Sequence, residues 1–301
     1  MRFLYIIDPL DGLNLETETS LLMMEEAARR RHHNYVATLE DLRLADREAR
    51  ARHREIALAP PGARPFYRLG EVADEALAGF DVVLMRKDPP VDDAYIAATF
   101  ILEHAGTRVV NDPVALRTAN EKLLPLRFPV PTPPSLVSGD PARLREFVAQ
   151  HGRAVLKPLN DCSGRGIRIV AAASDVPNEP GGPVLVQKFI ERVREGDKRI
   201  LLVDGRAVGA VNRVPAHAAA LANIHQGARV EATTISAEDA RIVDTIAPRL
   251  VRDGLWLAGL DVIGGYVTEI NVTSPSAARQ INAVSGLHVE RDLVDFLERI
   301  A

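Results

Sequence analysis

Short unbroken apolar runs alternate along the chain with stretches of helical spacing, and this rhythm sets the expected elements. "RFLYII" predicts a buried strand, and after a polar loop "SLLMMEEAARRR" has helical character. "DVVLMRKDPP" predicts a strand ending in charges and prolines, and "DDAYIAATFILEHA" a helix capped by aspartate. "TRVVNDP" predicts a further strand running into a helix with Asp112 as N-cap and Pro113 at its first position. Strands and helices in alternation predict a parallel sheet with flanking helices up to residue 119.

The proline-rich "LPLRFPVPTPP" then marks a connection. "DPARLREFVAQHG" predicts a helix that ends on a glycine, and "AVLKPLNDCSGRGIRIV" a strand, a loop and a strand. "VLVQKFI" predicts another buried strand, and "KRILLVDGRAVGAVNRV" a strand pair turning at Asp204-Gly205. "SAEDARIVDTIAPRLVRDG" predicts a helix with a Ser236/Asp239 capping box, an end at Gly254 and a kink at Pro248.

"LDVIGGYVTEINVTSP" sets Asp261, Glu269 and Asn271 into an apolar hairpin. Alternation puts Glu269 and Asn271 on one strand face. A two-residue Gly264-Gly265 turn would pair Asp261 with Thr268; a three-residue loop, Gly264 to Tyr266, pairs it with Glu269. The longer loop is the expectation. Two facing carboxylates in apolar surroundings repel unless a cation lies between them, and magnesium accepts Asp, Glu and Asn oxygens. The same residues also fit a solvent-facing polar hairpin edge.

With 47% hydrophobic and 26% charged residues over 301 positions, the chain suits a globular protein of two or three domains, not a disordered one. A net charge of -4 and no basic run among aromatics give no reason to expect nucleic acid as a partner. The run Arg29 to Arg31 with His32 and His33 reads as a solvated helix end. A lone cysteine, Cys162, excludes an intrachain disulfide and suits a reducing compartment. No apolar run is long enough for a signal peptide or a membrane span, so a cytoplasmic protein is expected. The scattered histidines form no zinc spacing.

Cations stand at strand ends. Arg86, Lys87 and Asp88 close a buried strand, where open α/β sheets bind ligands, although a charged loop fits equally. Lys157 ends a strand before a loop with Gly164 and Gly166, whose backbone is free to approach an anion. Arg165 and Arg168 add charge there, or are solvated. Asp197, Lys198 and Arg199 precede another apolar strand, and Arg213 follows on the same strand pair. Cations, glycine loops and a magnesium-type cluster together suggest nucleoside triphosphate chemistry. No nucleophile with a paired base is visible, so positioning and charge stabilisation would carry the reaction.

Six segments in order, "IIDPLDGLNLETETSLLMMEEAARR", "DVVLMRKDPPVDDAYIAATFILE", "VVNDPVALRTANEKL", "VLKPL", "GDKRILLVDG" and "GLDVIGGYVTEINVTSPSAARQI", resemble the ATP-grasp superfamily, and within it the bacterial type of glutathione synthetase. The likeness covers nearly the whole chain. It implies an α/β ATP-grasp fold: an amino-terminal parallel α/β substrate-binding domain over residues 1–119, a small lid subdomain over 120–190 and a core subdomain with the metal site over 191–301.

It implies that Lys122 and Lys157 contact ATP phosphates, with Gly164 and Gly166 in the phosphate loop. Adenine would lie beside Gln187, Lys188, Phe189 and Ile190, and Asp197 and Asn223 would belong to the same ATP site. Asp261, Glu269 and Asn271 would hold two magnesium ions, with manganese as a substitute. Arg199 and Arg213 would face the transferred phosphoryl group and the acyl intermediate. Arg86, Asp88 and Ser274 would grip the acid. The implied reaction activates γ-glutamylcysteine as an acyl phosphate that glycine displaces, in a homo-oligomer, a tetramer or a dimer, with small molecules as its other partners and neither nucleic acid nor membrane.

Two departures bear on the substrate. The family's mobile loop has a pattern like R-G-N-L-A-A-G-G, whereas here it reads "LANIHQGARVE", in which only Asn223 and Gly227 fit and Leu221 replaces the arginine. This segment equally resembles the N-x-H-x-G loop of RimK-type ligases, which join glutamate to peptide carboxyl ends. The phosphate loop "NDCSGRGI" has fewer glycines than the family's. A ligase with another acid or amine is therefore the alternative, and a nucleotide-binding regulator without chemistry a third reading.

Overall fold

The computed structural model describes residues 1–60, 62–63, 65–160, 166–215 and 228–301. These form three sheets with helices packed around them. The first sheet holds β1 (Arg2–Ile6), β2 (His33–Ala37), β3 (Leu42–Ala45), β4 (Glu48–Leu58), β5 (Tyr67–Ala76), β6 (Val82–Met85) and β7 (Arg108–Val110). Its core is parallel: β1 lies between β2 and β6, and β7 flanks β6. The four buried residues of β1, Phe3 to Ile6, are apolar on both faces because both faces are covered.

The expected wholly parallel sheet needs a correction. β3, β4 and β5 extend it as antiparallel strands beyond β2. β5 is mostly exposed and polar, so it carries no apolar run or clean alternation for a pattern to register.

The second sheet, β8 (Ser135–Ser138), β9 (Ala154–Pro158), β10 (Arg168–Val170) and β11 (Val184–Lys188), has the order β10-β9-β11-β8. The third, β12 (Asp197–Val203), β13 (Arg206–Val214), β14 (Arg229–Ala232), β15 (Leu257–Ile263) and β16 (Tyr266–Asn271), has the order β14-β13-β12-β15-β16. Asp204 and Gly205 both take positive φ between β12 and β13, the geometry of a tight hairpin turn.

The helices are α1 (Thr19–Arg29), α2 (Asp93–Leu102), α3 (Pro113–Thr118), α4 (Pro141–His151), α5 (Ala237–Arg252), α6 (Ala278–Ser285) and α7 (Val289–Ile300). Asp92, Asp112, Asp140 and Ser236 each accept from main-chain amides at helix starts, as their positions predict. Pro248 lies within α5, which continues to Arg252.

Two apolar clusters each join the first and third sheets: Leu4 and Ile6 with Ile200 and Leu260, and Phe3 and Tyr5 with Leu201, Leu293 and Phe296. The second sheet keeps a separate core with α4, formed by Leu144, Phe147, Leu156, Val170 and Val186. Buried Asn111 staples the first sheet to the third, donating to Leu257 and Val272 carbonyls at 2.8 and 2.7 Å and accepting from the Leu257 amide at 2.8 Å.

The basic run at the end of α1 is solvated at Arg29, Arg31 and His33, as expected, but not at Arg30 and His32. Arg30 is held by Glu26, Asp295 and Glu298, and His32 lies 2.7 Å from Glu298, so the run docks α1 on α7. Arg29 remains at the surface. Asp295 and Glu298 lie more than 260 positions away, which local pattern does not reveal.

Candidate active site

The hairpin of β15 and β16 pairs Asp261 with Glu269 and Gly259 with Asn271. The pairing matches the sequence expectation, but by another route. The loop is the two-residue Gly264-Gly265 turn, with φ of +57° and +87°, and Ile263 pairs Tyr266. Thr268 is an extra residue in a β-bulge, its hydroxyl donating to the Asp261 carbonyl at 3.2 Å, and the bulge shifts the register by one.

Asp261 is buried beneath two guanidinium groups. Arg199 lies opposite it on β12 and donates from Nε at 2.5 Å and from Nη2 at 3.0 Å. Arg213 Nη2 bridges Asp261 at 2.8 Å and Asp197 at 2.6 Å. Burial pushes the Asp261 carboxyl up, but the two arginines outweigh it and hold it down at about 2. Burial dominates at Asp197, pushing its carboxyl up to about 7 against the pull of Arg213, and its Oδ1 has no partner among the described residues. Buried positive and negative charge therefore alternate across three adjacent strands.

The second sheet brings Lys157 to the same place, its Nζ 3.5 Å from Glu269 Oε1. Gly166, at φ +67°, lies so close that a side-chain carbon there would stand 2.8 Å from Pro158 Cγ. Gly164, Asn223 and Cys162 lie outside the described residues. Gln187 is buried, donating to Ser135 at 3.1 Å, and Lys188 to Ile190 form the passage from β11 to the third sheet.

Sequence reasoning did not single out Asn120 and Glu121, although both stand beside Lys122, which is buried. Glu121 Oε1 accepts from the Val272 and Thr273 amides and the Thr273 hydroxyl at 2.7, 2.9 and 2.9 Å. Its carbonyl accepts from the Ile270 amide at 3.0 Å. Asn120 donates to the Leu159 carbonyl at 2.9 Å and accepts from the Lys122 amide at 3.2 Å. The signal was an Asn-Glu pair directly before a candidate phosphate lysine.

Arg86, Asp88 and Ser274 form a neighbouring group. Arg86 is only 2% exposed, donating to the Ser20 hydroxyl at 3.0 Å and the Pro275 carbonyl at 3.1 Å. Among the described residues no carboxylate pairs with it, and burial lowers its pKa. Asp88 is exposed and hydrogen-bonded to Ser274. Arg199 also donates to the Ser276 carbonyl at 3.3 Å, so residues 274–276 join the two groups.

The hairpin residues fit a hard divalent cation. Asn271 turns its amide nitrogen to Gly259 O and Asp261 Oδ2, at 3.3 and 3.2 Å, leaving the amide oxygen as the free acceptor end. Glu269 is partly exposed opposite Asp261, so Glu269 and Asn271 offer oxygen directly, while the Asp261 oxygens, held by Arg199, Arg213 and the Asn271 amide, would take a cation in exchange for one of those partners.

Solved structures share this architecture across the whole chain. D-cycloserine synthetase DcsG superposes with a TM-score of 0.68 at 15% identity, covering 99% of this chain and all of that one. A RimK domain protein of Sphaerobacter thermophilus gives 0.64 at 19% identity, covering 99% of this chain and 100% of that one. The fold is that of the ATP-grasp ligases.

The model of the prokaryotic glutathione synthetase amino-terminal domain matches residues 1–117, and that of its ATP-grasp domain residues 121–286. A glutathione synthetase of Synechocystis sp. is 38% identical, with 99% of each chain covered, and one of Nitrosomonas europaea 39% identical, with 99% of this chain and 98% of that one covered. The chain belongs to the prokaryotic glutathione synthetase family, and it is an ATP-dependent ligase.

Proposed function

We propose that the chain joins γ-glutamylcysteine to glycine in the cytoplasm, cleaving ATP to ADP and phosphate. The observation that carries the reading is the meeting of Lys157 with Glu269 across two sheets, beside the Asp197–Arg213–Asp261–Arg199 chain of buried charges. A carboxylate oxygen of the acid attacks the γ-phosphorus, and the bond to the ADP oxygen breaks. The amine nitrogen then attacks the acyl carbon, the bond to phosphate breaks, and two of the three ammonium protons are released, the third staying on the amide nitrogen.

Lys122, Lys157, Arg199 and Arg213 offset the charge that spreads over the phosphoryl oxygens. Asp261, Glu269 and Asn271 would hold two magnesium ions, which when bound supply further positive charge at the phosphates. Gln187 to Ile190 would flank adenine, Gly164 and Gly166 the phosphates, and Asn223 the closing loop. Asp88 and Ser274 would meet the acid, with Arg86 beneath them holding the Pro275 turn. Residues 1–119 would take the acid, 120–190 cover ATP and 191–301 carry the metal, in a homo-oligomer.

Hydroxylamine tests the acyl phosphate directly. With ATP and γ-glutamylcysteine but no glycine, the enzyme should form the hydroxamate of the acid; phosphate release without hydroxamate would contradict the mechanism. The sequence "LANIHQGA" favours a second reading, a ligase with another acid or amine, which a panel of amino acids and peptides in the same assay separates from the first.

A further inference from the structure

We infer that Asn120 and Glu121 are positioning residues, which hold Lys122, the phosphate strand and the metal-binding strand in one fixed arrangement. The inference rests on the reading above, in which Lys122 and Lys157 meet ATP and Asp261, Glu269 and Asn271 meet metal.

Phosphoryl transfer depends on the mutual placement of groups that contribute little covalent chemistry, and a displacement near 1 Å costs on the order of a hundredfold in rate. Here those groups stand on different sheets: Lys157 on the second, Glu269 and Asn271 on the third. The second sheet has its own core, and its apolar contact with the third is a small cluster, Phe189 and Val193 with Val155, Ile169 and Ile263, set to one side of the lysine and the metal residues. Three consecutive residues add a polar connection at the site itself.

Asn120 grips the Leu159 carbonyl just beyond Lys157 and turns its own oxygen to the Lys122 amide. Glu121 grips the opposite side. One carboxylate oxygen gathers two main-chain amides and a hydroxyl from Val272 and Thr273, and its carbonyl takes the Ile270 amide. Those contacts bracket Asn271 on both sides. A partly buried carboxylate that accepts three hydrogen bonds on one oxygen is a rigid fixture, because each donor would otherwise lose its partner. Burial raises the Glu121 pKa while the donors at Val272 and Thr273 lower it, so geometry and charge pull on the group in opposite directions.

The test compares Asn120→Ala, Glu121→Ala and Glu121→Gln, with Glu269→Gln and Lys157→Met as controls. Steady-state kinetics are measured over ATP, acid and magnesium. Asn120→Ala and Glu121→Ala should each raise the KM for ATP and the magnesium midpoint on the order of tenfold and lower kcat, with the KM for the acid unchanged. Glu121→Gln keeps the accepting oxygen and should recover most of what Glu121→Ala loses.

A rise in the acid KM equal to that for ATP, unchanged ATP and magnesium dependence, or a Glu121→Gln as impaired as Glu121→Ala would each overturn the inference. Should Glu121→Ala fail to fold, Asn120→Ala and Glu121→Gln still decide it. If the two controls leave turnover unchanged, the underlying site reading fails instead.

Discussion

At the residue scale, the alternation of side chains was enough to put Glu269 and Asn271 on one face, but Asp261 was brought opposite Glu269 only by expecting a three-residue loop. Alternation did not show the bulge at Thr268 that makes the pairing compatible with a two-residue glycine turn. The bulge's mark on the apolar pattern is the three-residue step from Val267 to Ile270, which by itself does not say that Thr268 is the extra residue, since threonine is as ordinary in a strand as its neighbours. Glu121 was hidden for another reason: its partners are main-chain groups 151 and 152 positions away.

Two substitutions test this scale. Glu269→Gln should lower turnover at least about a hundredfold while leaving the melting temperature near that of the parent, since it removes one charge from a partly exposed oxygen cluster. Unchanged activity would remove Glu269 from the metal site. Arg86→Ala should instead cost about 2 to 4 kcal/mol in urea unfolding, because it empties a buried volume and strips Ser20 and Pro275 of their donor. It should also weaken the acid more than ATP. A stability loss without any change in acid KM would mean that the Pro275 turn does not shape the acid site.

At the scale of elements, the parallel strands and capped helices were legible because buried runs and capping aspartates are local signals. β3 and β5 were not, being largely exposed strands placed by their pairing with β4, which is itself paired with β2. The docking of α1 on α7 was equally hidden, and it carries a pH prediction. Arg29 and then Arg30 hold the buried Glu26 carboxyl at about 2 against its desolvation. A carboxyl depressed by folding stabilises above its unfolded pKa and loses that contribution as pH falls through the folded one. The stability difference between parent and Glu26→Gln should therefore be full above about pH 4.5 and fade toward pH 2. Urea unfolding across that window reads it, and a difference that stays constant would contradict the assignment.

At the scale of the whole molecule, the first and third sheets are fused through common cores and the Asn111 staple, whereas the second sheet and α4 keep their own core and meet the third sheet only through the small cluster of Phe189, Val193, Val155, Ile169 and Ile263 among the apolar clusters of the described residues. Hydrogen exchange should show residues 135–188 opening as a separate unit, more readily than the rest, and gaining protection when ATP and magnesium bind. Uniform protection in the free and bound states would contradict a second sheet that unfolds locally as its own unit.

The central claim is the joining of γ-glutamylcysteine to glycine, and product identity tests it most directly. The purified chain is given ATP, magnesium and γ-glutamylcysteine, with and without glycine, and the products are weighed by mass spectrometry with Glu269→Gln as the blank. Glutathione should form only with glycine, one molecule for each phosphate released. Phosphate release without glutathione, or a larger amide from another amino acid or peptide, would contradict the account and place the specificity in the "LANIHQGA" segment.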